Sequence, residues 1–124
     1  DLDVFSPCAL GAILNPESIG NLKCSVIAGA ANNQLEDEER DSKLLQKREI
    51  MYVPDFVINA GGLINVANEL QGYDKEKAKY QVEGIYYILT RIFDYALTNK
   101  ISTLEAAKLL AERRIEEYYH WNKK

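Results

Sequence analysis

Hydrophobic residues in the first half of the chain form short runs that are separated by turn-forming residues. A helix is predicted from Pro16 to Lys23, because Asn15 is a good N-cap and proline suits the first helical position. The acidic residues 36–39 open a second predicted helix, since negative charge stabilises a helix N-terminus. Three mainly apolar runs are predicted to be short strands: Leu2–Phe5, Ser25–Gly29 and Met51–Val53. Short apolar strands that alternate with helices indicate a parallel sheet covered on both faces.

The second half of the chain has the periodicity of amphipathic helices. One helix is predicted over Ala60–Leu70 and ends near Gly72. Asp74 is a good N-cap for a helix that runs to about Asn99, and Ser102–Glu105 has the pattern of a capping box that opens the last helix. The long helix carries one apolar stripe that is predicted to be buried: Val82, Ile85, Tyr86, Leu89, Ile92, Phe93 and Ala96. The predicted architecture is therefore βαβαβ followed by three helices.

Composition and charge restrict the class of protein. Apolar residues make up 47% of the 124 residues and charged residues 27%, as in an ordinary single globular domain. The 15 Lys and Arg are scattered and the net charge is −4, so neither nucleic acid nor membrane is expected as a partner. Cys8 and Cys24 form no disulfide framework, so a cytoplasmic location is expected. Because the chain begins at Asp1 and enters an apolar run at once, we expect it to be a piece of a longer protein.

Generic catalytic constellations are mostly missing from the sequence. His120 has no second histidine or spaced acid to form a metal site, so a surface histidine is favoured. Cys8 could be a nucleophile, but no histidine is near it in sequence, and a small buried or loop cysteine is favoured. The acidic run 36–39 is interpreted as a solvated helix start rather than a metal site. Packing is the interpretation favoured for four tyrosines at helical spacings: Tyr86, Tyr87, Tyr118 and Tyr119.

Small residues and asparagines follow the predicted extended segments in three places, at 7–11, 29–34 and 59–62. In an open parallel sheet, ligands bind in the crevice beyond the carboxyl ends of the strands. Small residues there let the backbone approach a ligand closely, and asparagine amides suit a carboxamide or a ribose. Each signal taken singly is weak, because Gly61-Gly62 alone is more often a turn and Asn32-Asn33 a loop.

Taken together, these segments closely resemble the NAD-dependent amino acid dehydrogenases, and most of all the leucine, phenylalanine and valine dehydrogenase branch. The resemblance also covers 69–73 and the long helices, with matching order and spacing. The segments that carry it are 3–11 (DVFSPCALG), 26–35 (VIAGAANNQL) and 52–66 (YVPDFVINAGGLINV).

The resemblance implies an α/β fold and a place within a two-domain protein. The family has an N-terminal substrate domain and a Rossmann-type nucleotide-binding domain. This chain would be the C-terminal portion of the nucleotide-binding domain, with strands and crossover helices over about 1–59 and helices over about 60–121. The sheet would be the second half of the Rossmann-type parallel sheet. The substrate domain and the glycine-rich phosphate loop would lie upstream, and this stretch alone would be inactive.

The resemblance also implies a reaction and a set of site residues. The whole enzyme would oxidatively deaminate an L-amino acid to a 2-oxo acid and ammonia, with hydride transfer to NAD, and would be a homo-oligomer. Asn33 would touch both nicotinamide and substrate, and Asn59 would reach the nicotinamide carboxamide or its ribose. Leu63 and Val66, three apart on one helix face, would contact the substrate side chain. The implied cofactor-binding residues are Cys8, Ala9, Ala31, Asn32, Asn33 and Asn59.

The chain departs from the family pattern in ways that leave some questions open. No residue matches the motifs of the catalytic lysines and aspartate, which belong to the N-terminal domain, or the acidic residue that binds the ribose. Leu63 stands where the branch often carries valine, and Asn68 stands where aspartate is common. The choice between a branched-chain and an aromatic substrate therefore stays open. A truncated, non-catalytic paralogue that acts as an assembly or interaction module is the alternative.

Overall fold

The computed structural model of the protein describes residues 2–70 and 72–121. In these residues three strands alternate with two helices, and four further helices follow. In chain order, the elements are β1 (Val4–Phe5), α1 (Pro16–Asn21), β2 (Val26–Ile27), α2 (Glu38–Lys47), β3 (Met51–Tyr52), α3 (Asp55–Ile58), α4 (Gly61–Leu70), α5 (Lys75–Asn99) and α6 (Thr103–Trp121).

The three strands form one parallel sheet in the order β1-β2-β3. The ladder continues just past the strands, where the Ala28 N–H donates to the Phe5 carbonyl (3.0 Å) and the Val53 N–H to the Ile27 carbonyl (2.9 Å). The predicted α/β class with a parallel sheet and long C-terminal helices is confirmed. Because all strands run the same way, their carboxyl ends and the loops beyond them meet at one edge of the sheet.

Two apolar clusters hold the elements together. The first lies between the sheet and helices α1 and α2, and its Leu14, Ile19, Ile27 and Leu45 side chains are fully buried. The second joins α3, α5 and α6 through small and branched side chains. Its buried members are Val57, Ile92, Ala96, Ala106 and Ala107. Alanines in this second cluster let the helix backbones of α5 and α6 approach closely.

The predicted helix caps are present. The Asn15 side chain accepts the Ser18 N–H (3.0 Å), and the Ser18 hydroxyl accepts the Asn15 N–H (2.9 Å), which completes a capping box. Asp74 accepts two N–H groups of the first turn of α5. Ser102 accepts the Glu105 N–H (3.1 Å) at the start of α6. Each of these bonds satisfies a backbone donor that a helix start would otherwise leave unpaired.

The helix α3 (Asp55–Ile58) was not predicted, because Pro54-Asp55 has the sequence of a turn. Its one turn is closed by the Val57 N–H to the Pro54 carbonyl (3.1 Å) and by the Asn59 N–H to the Asp55 carbonyl (2.9 Å). α1 ends at Asn21, before the predicted Lys23. The extra helix matters for the site, since Asn59 is its C-cap.

The packing predicted for the four tyrosines is wrong in this chain. Tyr86 and Tyr87 are 71% and 70% exposed, and Tyr118 and Tyr119 are 67% and 62% exposed. Val82, at the N-terminal end of the predicted stripe, is also exposed, whereas Ile92 and Ala96 at its other end are buried. Periodicity identifies one face of a helix but not how far along its length a neighbour covers it. In the described residues, every position from 111 to 121 is exposed.

The described part of the chain offers neither a membrane span nor a metal cluster. None of the helices in residues 2–70 and 72–121 is both long enough and apolar enough to cross a bilayer. Nor do these residues bring three or more His, Cys, Asp or Glu side chains together as a metal site would require. His120 is exposed on α6, as predicted.

Gly29→Ala is expected to destabilise the protein by about 3 kcal/mol or more. The added methyl group would collide with the backbone of Pro7, which cannot move aside as a flexible side chain could. A Cβ atom at Gly29 would lie 2.1 Å from the Pro7 carbonyl oxygen and 2.5 Å from its nitrogen. The control is Gly84→Ala in α5, where nothing lies within 4 Å of the added atom. That change is expected to stabilise the helix by ~0.5–1 kcal/mol. Urea denaturation of both variants checks this, and equal midpoints would contradict the close contact.

Candidate functional site

Two loops cross at the carboxyl edge of the sheet. The loop after β1 and the loop after β2 touch where Gly29 lies against Pro7, with no space for a side chain at position 29. The Ala31 N–H donates to the Pro7 carbonyl (3.0 Å), and the Ala12 N–H donates to the Asn33 carbonyl (2.7 Å). The two loops are therefore fixed to each other before and after the segment that carries the asparagines.

Asn32 and Asn59 are linked directly. The Nδ2 atom of Asn59 donates to Oδ1 of Asn32 at 2.5 Å, although 27 residues separate them in the chain. Asn59 is placed there by α3, because its N–H donates to the carbonyls of Asp55 and Val57. The bond joins the loop after β2 to the end of α3. One carboxamide thus orients the other, so neither rotates independently.

Asn33 has a left-handed backbone, with φ of 52°. Asparagine is one of the few residues besides glycine that adopt this region readily. The Asn33 carboxamide makes no hydrogen bond with the described residues, so its donors and its acceptor are available to a ligand. Gly11 lies over this turn, since a Cβ there would be 3.0 Å from the carbonyl oxygens of Asn32 and Asn33.

A cleft of 580 Å³ opens between this loop and the helices α3 and α4. It brings together four of the predicted site residues, Asn32, Asn33, Asn59 and Leu63. The remaining lining residues are Glu38, Asp55, Phe56 and Ala60. The other predicted residues do not line it. Ala31 is buried beneath the loop, Val66 is half exposed one turn further along α4, and Cys8 and Ala9 are exposed on the loop after β1.

Both carboxylates in the cleft are already paired. Glu38 forms an ion pair with Lys108 of α6. Asp55 accepts the Phe56 N–H at 2.7 Å and the Gln34 N–H at 3.2 Å. The polar groups that remain for a ligand among the described lining residues are therefore the amides. Such a cleft can bind and orient a ligand through hydrogen bonds, with Leu63 and Phe56 as apolar walls.

Cys8 is an exposed thiol at the end of β1. The Ala30 N–H donates to its sulfur, and the Ser6 hydroxyl lies 3.3 Å from Sγ. These two hydrogen bonds lower the pKa of the Cys8 thiol, because both stabilise the thiolate. Cys8 and Cys24 are both free thiols in the structure.

Gln34 was missed by the sequence reasoning. Its side chain is fully buried beneath the loop after β2, and its Nε2 donates to the carbonyls of Gly29 (2.8 Å) and Ala31 (2.9 Å). Its Oε1 accepts no hydrogen bond from the described residues. An unsatisfied buried acceptor costs ~1–3 kcal/mol, so the two bonds from Nε2 must compensate for it. The burial of this polar side chain is visible only in the structure, because no periodic pattern in the sequence predicts that Gln34 is buried.

The fold and the cleft together define a class of protein, an α/β protein with a cleft beyond the carboxyl ends of its parallel strands, which is where ligands bind in open sheets of this kind. A family model described as Glutamate/Leucine/Phenylalanine/Valine dehydrogenase matches residues 1–120. The chain belongs to this family.

Known proteins similar to this chain have closely related names. L-tryptophan dehydrogenase from Nostoc punctiforme is 58% identical over 115 residues, which are 93% of this chain and 33% of that protein. Leucine dehydrogenase from Thermoactinomyces intermedius is 54% identical over 116 residues, covering 94% of this chain and 31% of that protein. The crystal structure of the L-tryptophan dehydrogenase from Nostoc punctiforme has a TM-score of 0.91 and 55% identity, over 95% of this chain and 35% of that one. This chain spans about a third of the length of these relatives.

Cys8 is expected to react with iodoacetamide severalfold faster than Cys24 near neutral pH, because it is exposed and its lowered pKa provides more thiolate. Ser6→Ala removes one of the stabilising hydrogen bonds and is expected to raise the pKa of Cys8 and slow its alkylation. Mass spectrometry of the two cysteine peptides over a range of pH measures both rates. If Ser6→Ala left the pH profile unchanged, the hydroxyl would not be stabilising the thiolate.

Proposed function

We propose that the full-length protein is an NAD-dependent amino acid dehydrogenase. It oxidatively deaminates a branched-chain or aromatic L-amino acid to a 2-oxo acid and ammonia. The proposal is carried by the convergence of Asn32, Asn33, Asn59 and Leu63 on one cleft, in a chain that belongs to the Glu/Leu/Phe/Val dehydrogenase family. Residues 1–124 form the C-terminal portion of its nucleotide-binding domain.

The chemistry of the cleft fits the nicotinamide end of the cofactor, which supplies the hydride acceptor when it is bound. A carboxamide or ribose needs both donors and acceptors, and the asparagine amides offer both. Asn33, whose carboxamide is free among the described residues, contacts nicotinamide and substrate. Asn59, held against Asn32, reaches the nicotinamide carboxamide or its ribose. Cys8, Ala9 and Ala31 lie on the cofactor side.

Leu63 and Val66 form the wall for the substrate side chain. They lie one turn apart on α4, and both expose their apolar side chains. Exposed apolar side chains beside a polar cleft suit a branched-chain or aromatic substrate. The names of the similar proteins, a tryptophan and a leucine dehydrogenase, support the same two classes.

The residues of this chain bind and orient, and the proton transfers fall to the lysines and the aspartate of the substrate domain. That division agrees with the cleft, where Glu38 and Asp55 are both paired. The enzyme is a cytoplasmic homo-oligomer in this proposal. Its exposed aromatic side chains on α5 and α6 provide apolar surface for contacts between or within subunits.

The direct test is the full-length enzyme with a panel of L-amino acids and either NAD or NADP. NADH formation, followed by absorbance, is expected with leucine, valine, phenylalanine or tryptophan, and much less with glutamate. Preference for NADP would contradict the assignment of NAD as the cofactor, and preference for glutamate would contradict the assignment of a branched-chain or aromatic substrate. Failure of every amino acid with both cofactors would favour the non-catalytic alternative.

Asn33→Gly is expected to lower turnover of the full-length enzyme at least about tenfold. Losing a hydrogen bond to a charged group costs ~1.5–3 kcal/mol, and poor positioning alone costs on the order of a hundredfold. Glycine is chosen over alanine because it tolerates the φ of 52° and so removes the amide without backbone strain.

The control for this variant is Asn15→Ala, which removes the cap of α1 at a cost of ~1 kcal/mol and is expected to spare turnover. Steady-state kinetics and thermal denaturation of both variants separate catalysis from stability. Near-parent turnover for Asn33→Gly would refute the role assigned to this residue.

A further inference from the structure

Gln34 is a buried glutamine beneath the loop after β2, and its amide group donates two hydrogen bonds to that loop. It lies outside the cleft lining and is fully buried, yet it is next in sequence to Asn33. A buried glutamine needs hydrogen bonds for both of its amide hydrogens. Nε2 provides them to the carbonyls of Gly29 and Ala31, at 2.8 Å and 2.9 Å.

These two bonds fix the inner side of the loop. Because the carbonyls of Gly29 and Ala31 both accept from one nitrogen, the segment between them is held as a closed turn. The next two residues, Asn32 and Asn33, are exposed on the outer side and line the cleft. Asn32 is then within reach of Asn59.

The backbone of Gln34 is fixed as well. Its N–H donates to the Asp55 carboxylate (3.2 Å), and its carbonyl accepts the Leu14 N–H (3.0 Å). Asp55 opens α3, the helix that presents Asn59. Gln34 therefore joins the loop after β1, the loop after β2 and the start of α3 at one point.

We propose that Gln34 is a positioning residue, whose carboxamide sets the loop that presents Asn32 and Asn33 to the cofactor and the substrate. This inference rests on the proposed function only in assuming that Asn33 contacts the nicotinamide and the substrate. The donors of Gln34 carry the role, since its Oε1 has no partner among the described residues. Methionine has a similar length and no donor, so it removes the two bonds and keeps the volume.

The test uses the full-length enzyme with Gln34→Met, Asn33→Gly and the double variant. Deuterium exchange of the peptide covering 29–34 is expected to rise in Gln34→Met, with exchange of α2 unchanged. Turnover at saturating substrates is expected to fall about tenfold or more. Gln34→Met is expected to slow the Asn33→Gly variant by a smaller factor than it slows the parent, because the part of its effect that acts through Asn33 is already lost while the part through Asn32 remains.

The matched control is Gln46→Met, the same substitution at an exposed glutamine of α2. It also removes a bond from Nε2 to a carbonyl, that of Lys100 (3.1 Å), and neither residue lines the cleft. We expect it to leave turnover and loop exchange unchanged. If Gln34→Met does not fold, Gln34→Asn replaces it, since that side chain keeps both donors but is too short to reach both carbonyls.

Two results would overturn the proposal. Unchanged exchange in the 29–34 peptide would show that Gln34 does not hold the loop. Effects on turnover that multiply in the double variant would show that Gln34 acts independently of Asn33. Near-parent turnover for Asn33→Gly is a separate outcome, which would refute the catalytic part of the proposed function and leave the exchange result to decide on Gln34.

Discussion

The contact between Gly29 and Pro7 is the constraint on which the rest of the site depends. Each strand of the sheet has two residues, so the ladder alone supplies few bonds to fix the loops at its carboxyl edge. The backbone of Pro7 fills the space that any side chain at position 29 would need. This close approach lets the Ala31 N–H donate to the Pro7 carbonyl, and that bond fixes the position of the loop after β2 relative to the loop after β1. The asparagine turn and its cleft are built on that crossing.

Much of the fold could be predicted because its signals are local. Asn15, Asp74 and Ser102 each cap a helix through residues two or three positions away, so the relevant chemistry is visible in a short stretch of sequence. The meeting of Asn32 and Asn59 also agrees with a general rule, since parallel strands bring the loops after their carboxyl ends to one edge. The particular roles of these residues came from the family resemblance, not from the pattern.

The contacts that the sequence did not reveal join distant segments. Gln34 and Asp55 are 21 residues apart, and nothing around either residue indicates that one binds the backbone of the other. The tyrosines show a different error, in which a periodic pattern predicts burial that does not occur. Tyr86 has the spacing of a buried stripe, but the cluster that joins α5 to α3 and α6 includes its neighbour Ile85 and leaves Tyr86 exposed. Burial of an amphipathic face is a property of the partner as much as of the helix.

The length of helix α5 determines how a change in its tilt would affect the helix α4 that is attached to it. Its 25 residues span about 37 Å. The C-terminal half is clamped to α6 through Ala96, Ala106 and Ala107, whereas the N-terminal part holds α4 through the bond from Asn68 to Gln81. If α5 pivoted as a rigid body about the alanine cluster, a tilt of about 5° would move its N-terminal end by ~3 Å. Such a tilt would shift α4 and Leu63 relative to the asparagine loop, which is bonded to the loop after β1 at the edge of the sheet.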